Sequence, residues 1–223
     1  MVINPELFIF VHLQKTGGTF VENFLLENFK ECKSFKPKHS GILEAMGLLT
    51  TEKSFGVIRN PFDWYVSWWS KNRVSGPTLF PKIFNAKRKE DFGEFLKYAL
   101  NGGFGIQHDL NGNFIRANNI GILTYRCIYS FFNYMVGIKN IEKDPNNHIM
   151  IDTILRTETL NDDLKKFLSE FADSSILDKL NSRPKDHTSN HKRYTEYYEY
   201  ETIKLVEEKD KFILNNFNYK FGD

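Results

Sequence analysis

The chain's 223 residues, 41% hydrophobic and 26% charged, have the composition of a folded globular protein and exclude a disordered polymer. At roughly 150 residues per domain, the length predicts a single domain, 1–223, with room for an insertion. Lys and Arg number 30 against 28 Asp and Glu, and the net charge of +2 excludes nucleic-acid binding by bulk electrostatics, so any anion site is local. In chain order, Leu7 to Val11 is a continuous β-prone run, of the kind buried on both faces in the parallel sheets of α/β folds. The stretch around it has no basic n-region and no small-residue cleavage site, so it reads as a strand rather than an export signal and sets a cytoplasmic location as the expectation. A glycine-containing loop, Gln14 to Thr19, leads to Phe20, Phe24, Leu25 and Leu26 at helical spacing. A polar connection, Lys30 to His39, precedes a short helix predicted over Gly41 to Leu49. Ser54 to Ile58 is a second strand, followed by Arg59 and by a helix that Asn60 caps and Pro61 opens.

From Ser75 to Asn119 the composition shifts toward Gly, Asn and Pro, which predicts an insertion or substrate cap with a helix at Phe92 to Leu100. Its basic run Lys87-Arg88-Lys89 could attract an anionic glycan, with a solvated charged face as the plainer reading. Ile120 to Ile138 approaches spanning length but carries Arg126 and Asn133, so it reads as a buried helix or an aromatic substrate wall, and no stable membrane insertion is predicted. Asn146 to Leu155 predicts another strand, Leu160 to Phe171 an amphipathic helix, and Thr195 to Asn215 a charged closing helix. Alternating strands and helices predict the α/β class. Cys32 and Cys127 are too few for a disulfide framework or a cysteine-rich zinc site, and a reducing compartment is the simpler expectation.

Two motifs carry chemistry. Lys15-Thr16-Gly17-Gly18-Thr19 puts a glycine pair between a strand and a helix, where backbone N–H groups converge on an anion and the helix N-terminus adds partial positive charge. Lys15 supplies a mobile ammonium and Thr16 and Thr19 supply hydroxyls, with Phe20 directly behind. The alternative is a plain glycine turn with Thr19 as the helix cap. The lysine precedes the glycines, so this is not a Walker A loop, and an ordinary ATPase reading weakens. The second motif, Arg59-Asn60-Pro61 with Ser67, sets an arginine at a strand's end and a serine two turns into the next helix. Arg59 can grip a phosphate bidentately while Ser67 donates a hydroxyl. Two anion cradles at the ends of two parallel strands fit one ligand with phosphate groups at both ends.

His12 to Thr19 and Arg59-Asn60-Pro61 with Ser67 together resemble the sulfotransferases that use 3′-phosphoadenosine 5′-phosphosulfate, particularly the carbohydrate-type and related bacterial members of the P-loop-like superfamily. The resemblance implies a P-loop NTPase-like fold with a central parallel β-sheet flanked by helices. It implies metal-independent transfer of a sulfuryl group to a hydroxyl or amine of a small-molecule or glycan acceptor, with 3′-phosphoadenosine 5′-phosphate as product. Lys15, Thr16, Gly17, Gly18, Thr19 and Phe20 would then hold the 5′ end of the donor, and Lys15 would also steady the leaving phosphate. Arg59 and Ser67 would bind the 3′-phosphate, which Lys192 or Arg193 in a late loop could also reach. Arg156-Thr157-Glu158 and Phe217 to Phe221 are weaker points of likeness, and Ser75 to Asn119 has none.

Transfer to a hydroxyl needs a general base, because the attacking oxygen loses its proton as the bond forms. The resemblance points to His39, on the connection between the two motifs; His12, Glu44 and Asp109 are the other candidates. No metal cluster is predicted: His187 and His191 are the one pair of histidines at i,i+4 spacing, and they lack an adjoining Glu or Cys. Two other functions stay open, a P-loop-type small-molecule kinase with Asp152 as its metal-holding acid and a non-catalytic nucleotide-binding protein.

Overall fold

A computed structural model describes residues 1–45, 53–74, 85–103, 106–108, 114–116, 120–183 and 191–223. Its strands are β1 (Val2–Asn4), β2 (Phe8–Val11), β3 (Lys33–Ser34), β4 (Ser54–Ile58), β5 (Ile106–His108), β6 (Phe114–Arg116) and β7 (Thr153–Arg156). Its helices are α1 (Gly18–Asn28), α2 (Pro61–Val74), α3 (Ala86–Glu90), α4 (Phe92–Tyr98), α5 (Ile122–Phe131), α6 (Ile138–Lys143), α7 (Leu160–Leu168), α8 (Ser174–Ser182), α9 (Tyr200–Lys209) and α10 (Lys211–Asn216). The chain divides into two compact units, residues 1–59 with 127–188 and residues 60–126 with 189–223.

The first unit is α/β, with a five-stranded sheet in the order β3-β1-β2-β4-β7 flanked by helices. The expected central parallel sheet is mixed: β2, β4 and β7 run parallel, but β1 is antiparallel to both β2 and β3. Asn4 is the cause. Its Oδ1 accepts from the N–H groups of Glu6 (3.1 Å) and Leu7 (3.2 Å), and a turn this tight can only return the chain antiparallel. Every residue of β2 and β4 is buried, as continuous apolar runs in central strands require. Phe8, Phe10, Phe55 and Val57 pack with Phe20, Val21, Phe24 and Leu25 of α1 and with Leu164, Phe167 and Leu168 of α7. The rings of Phe8, Phe55 and Phe167 meet tilted or edge-on, with centroids 4.2 to 6.1 Å apart. Gly56 in β4 is required by this packing, since a Cβ there would fall 2.4 Å from the Phe131 ring.

The third parallel strand begins later than the sequence predicts. Asp152 accepts from Ser54 through both N–H (2.7 Å) and hydroxyl (2.6 Å), while its own N–H donates to the Ser54 carbonyl (3.1 Å), and β7 starts at Thr153. Pro145–Asn147 form a 3-10 turn, and Ile149 makes only an isolated bridge to Phe132. The helix predicted over Gly41 to Leu49 is a 3-10 turn at Ile42–Glu44, with its second half outside the described residues. The long apolar stretch from Ile120 breaks after Phe131, and among the described residues no helix is long and apolar enough to cross a membrane.

In the second unit, α2 is buried from Pro61 to Ser70 apart from Asp63. Asn60 caps it as predicted, accepting from Phe62 N–H at 3.1 Å, and donates to the Lys220 carbonyl at 3.0 Å. The single closing helix predicted over Thr195 to Asn215 is instead a 3-10 turn, Tyr194–Tyr197, followed by α9 and α10, which part at Asp210. Asp210 is fully buried and turned toward the start of α5, accepting from Thr124 N–H and hydroxyl (both 2.8 Å) and from the Tyr65 hydroxyl (2.7 Å). Of the predicted insertion, α3, α4 and the antiparallel pair β5–β6 are described.

Candidate anion-binding site

The turn joining β2 to α1 is held in an uncommon backbone conformation. Lys15 has φ 68° and Gly17 φ 81°. For glycine this region is open, but for lysine it is disfavoured, and such a residue persists only where its surroundings hold it. Here they do. Thr16 is fully buried and its Oγ1 donates to the Leu13 carbonyl (2.8 Å), while the Lys15 carbonyl accepts from Arg59 Nη1 (3.1 Å) and the Thr16 carbonyl from Thr157 Oγ1 (3.0 Å). Both glycines are sterically fixed as well: a Cβ on Gly17 would meet Leu160 Cδ2 at 2.8 Å, and one on Gly18 would fall 2.2 Å from the His12 ring. Helix α1 then starts at a glycine N-cap, which has no side chain to bond the first-turn N–H groups, and its positive end faces the loop.

Within this unit the structure joins the first motif to Arg59, the one residue of the second motif that the unit contains: half-buried beyond β4, Arg59 reaches the backbone of the residue that carries the loop's ammonium. Thr157, which sequence reasoning placed only in a weak echo, completes the tie by donating to Ile58 and Thr16 carbonyls, both at 3.0 Å. A hydroxyl directly after a predicted strand was its only signal. Thr16 spends its own hydroxyl inside the loop. Phe20 is buried in the core beneath it, with the Arg183 guanidinium 5.7 Å from its ring.

His39 stands exposed on the connection, its ring edge-on to that of His12 at 4.8 Å. Its Nδ1 lies 3.0 Å from the His12 carbonyl oxygen. A carbonyl can only accept, so in the neutral ring Nδ1 carries the proton and Nε2 keeps the lone pair. His12 is buried, and burial lowers its pKa to about 4 despite the opposing pull of Glu22, leaving a neutral ring that is a poor proton acceptor at pH 7. Glu44 accepts from the Tyr129 hydroxyl, and Asp109 lies outside the described residues. Glu22 is a buried acid that sequence reasoning missed. It lies 3.4 Å from His12 Nδ1 and 2.7 Å from Lys38 Nζ, and accepts from Ser34 Oγ (2.7 Å); these contacts, His12 foremost, hold its carboxyl well below the usual range. An acid on the apolar face of α1 was the signal for it.

Three predicted residues belong to the second unit. Ser67 is buried within α2; Lys192 and Arg193 are exposed, and Lys192 Nζ lies 3.7 Å from Glu196. Also in that unit, Lys87 pairs with Glu94 (3.2 Å) and Arg88 stacks over Tyr98 (3.5 Å), so the basic run is partly used within its own helices. Asp152, the acid available to a kinase, sits at the start of β7, the end opposite the Lys15 loop. His187 lies outside the described residues, among which no group of His, Cys, Asp and Glu could hold a metal. The chain matches no family model and no curated protein sequence.

Proposed function

We propose that the chain is a sulfotransferase of the P-loop-like type, taking the sulfuryl group of 3′-phosphoadenosine 5′-phosphosulfate to a hydroxyl or amine of a small-molecule or glycan acceptor. The observation that carries this reading is the 3.1 Å bond from Arg59 to the Lys15 carbonyl, which ties the first motif to Arg59 of the second at the ends of neighbouring parallel strands. The strained Lys15 backbone and the uncapped start of α1 support an anion there. In the reaction, the acceptor oxygen attacks sulfur as the S–O bond to the 5′-phosphate breaks. Lys15 steadies the charge gathering on that leaving oxygen, and His39 Nε2 takes the acceptor's proton. The sulfuryl group carries less charge than a phosphoryl group, so these donors suffice without a metal. Ser67, Lys192 and Arg193 hold roles that the resemblance alone implies.

Titration calorimetry tests the reading, because it requires preference for a 3′-phosphorylated nucleotide. The chain is expected to bind 3′-phosphoadenosine 5′-phosphate more tightly than ATP with Mg²⁺. Arg59→Ala should cost about 2–5 kcal/mol toward it, with a smaller loss toward adenosine 5′-phosphosulfate. Equal affinity for ATP, or equal losses toward both nucleotides, overturns the assignment.

A further inference from the structure

Glu22 has no part in the scheme above, yet its contacts lead to the residue that does. From α1 its carboxylate meets three groups outside its own helix: His12 Nδ1 just beyond β2, Ser34 Oγ in β3, and Lys38 Nζ on the connection. Lys38 directly precedes His39, and His39 returns to the carbonyl of His12. The contacts therefore run from Glu22 through Lys38 to His39 and the His12 carbonyl, with the His12 ring 3.4 Å from Glu22, too far for a well-formed hydrogen bond. Stability alone does not account for an acid here, since an apolar side chain on this buried face would pack without desolvating a charge.

We propose that Glu22 is a positioning residue for His39. By anchoring Lys38, the residue next to His39, it keeps His39 Nδ1–H on the His12 carbonyl. The catalytic consequence rests on the sulfotransferase reading; the tautomer does not. The charged and titratable groups facing the cluster are His12, Lys38, His39 and the Met1 amino group, which donates to the Lys38 carbonyl. In this setting Glu22 and Lys38 act on His39 with opposite sign: the carboxylate favours imidazolium and the ammonium disfavours it.

The test uses the whole chain and two variants, Glu22→Gln, which keeps the shape, and Lys38→Met, whose side chain is 44% exposed and tolerates change should the first variant fail to fold. Long-range ¹⁵N–¹H correlation spectra read the His39 tautomer and its titration without reference to activity. The parent is expected in the Nδ1–H form, and both variants in a mixture with Nε2–H. The His39 titration should move to lower pH in Glu22→Gln and to higher pH in Lys38→Met, opposite shifts that general loosening does not produce. With an active acceptor, kcat should fall about 10- to 100-fold in Glu22→Gln, part of the ~10²–10⁴-fold expected of a general base, while KM for the donor stays within about twofold. An unchanged His39 tautomer and titration in both variants overturns the proposal. The tautomer change in a chain that binds no 3′-phosphoadenosine 5′-phosphate upholds the positioning and overturns the sulfotransferase reading instead.

Discussion

Among the described residues each unit buries one acid, and the two are held in opposite ways. Glu22 in the first unit sits against a lysine, a neutral histidine and a serine, and these contacts outweigh burial, so its carboxyl is held far toward the ionised form. Asp210 in the second unit is fully enclosed with only neutral donors, Tyr65 and Thr124, and burial wins: its carboxyl is pushed up. Burial and the Asp210 carboxyl likewise raise the Tyr65 phenol well above its usual value. The partners explain the difference. Those of Asp210 cap a helix: Thr124 N–H is in the first turn of α5, and the Tyr65 hydroxyl accepts from Ile122 N–H at 3.0 Å. Those of Glu22 come from the segments that flank the candidate base. An acid surrounded by neutral donors links a core; one paired with a cation brings charge to a place that can use it.

The largest effect expected from this contrast is on stability. Asp210→Ala leaves Tyr65 hydroxyl, Thr124 hydroxyl and Thr124 N–H buried without their acceptor, and at ~1–3 kcal/mol for each orphaned donor the loss should be about 3–9 kcal/mol. Trp64, Trp68 and Trp69 are all in the second unit, so their fluorescence in a urea titration follows it directly. Glu22→Ala should cost less, about 1–3 kcal/mol, because half-exposed Lys38 regains water and the His12 ring is neutral. A Glu22→Ala loss equal to that of Asp210→Ala breaks the comparison.

A smaller effect separates the glycines beside the two clusters. A Cβ on Gly121 would fall 2.1 Å from Asp210, and one on Gly18 2.2 Å from His12. Each alanine variant should lose about 1–3 kcal/mol by overpacking. Gly18→Ala is expected to be relieved in the double variant with His12→Ala, which should be no less stable than His12→Ala alone. Gly121→Ala should likewise be relieved in the double variant with Asp210→Ala, but that pair should stay well below the parent in stability, since the buried donors stay orphaned. Additive losses for the first pair would show that the loop does not rest on the His12 ring.

How much of this could be read from the sequence depended on whether a feature was local. β2 and β4 show as short apolar runs, α1 as apolar residues at helical spacing after Gly17-Gly18, and α2 by its Asn60-Pro61 start, because burial and turn chemistry act over a few residues. β1 and β3 escape notice: strands of three and two residues have no periodicity, and their pairing depends on the Asn4 turn. The Lys15 loop was legible as a glycine turn opening a helix, but its tie to Arg59 spans 44 positions and only the parallel pairing of β2 with β4 creates it. Glu22 and Asp210 were hidden by composition, since an acid in a helix is ordinarily solvated and Asp210 sits among Glu207, Glu208, Lys209 and Lys211.

The smallest effect sharpens the contrast through pH. For Glu22 the folded pKa lies below the unfolded value of about 4.3, so its contribution is present above that value and is lost as pH falls. For Asp210 the folded pKa lies above the unfolded value of about 3.9, so its contribution is full below that value and is lost as pH rises toward the folded one. Over one pH unit a single group changes stability by at most about 1.4 kcal/mol, which sets the precision the measurement needs. Urea midpoints at pH 5 and pH 4 for the parent, Glu22→Gln and Asp210→Asn suffice. The advantage of the parent over Glu22→Gln should narrow from pH 5 to pH 4, and its advantage over Asp210→Asn should widen. Differences that move in the same direction would mean that the two acids are held alike, and that the contacts of Glu22, His12 foremost, do not outweigh its burial.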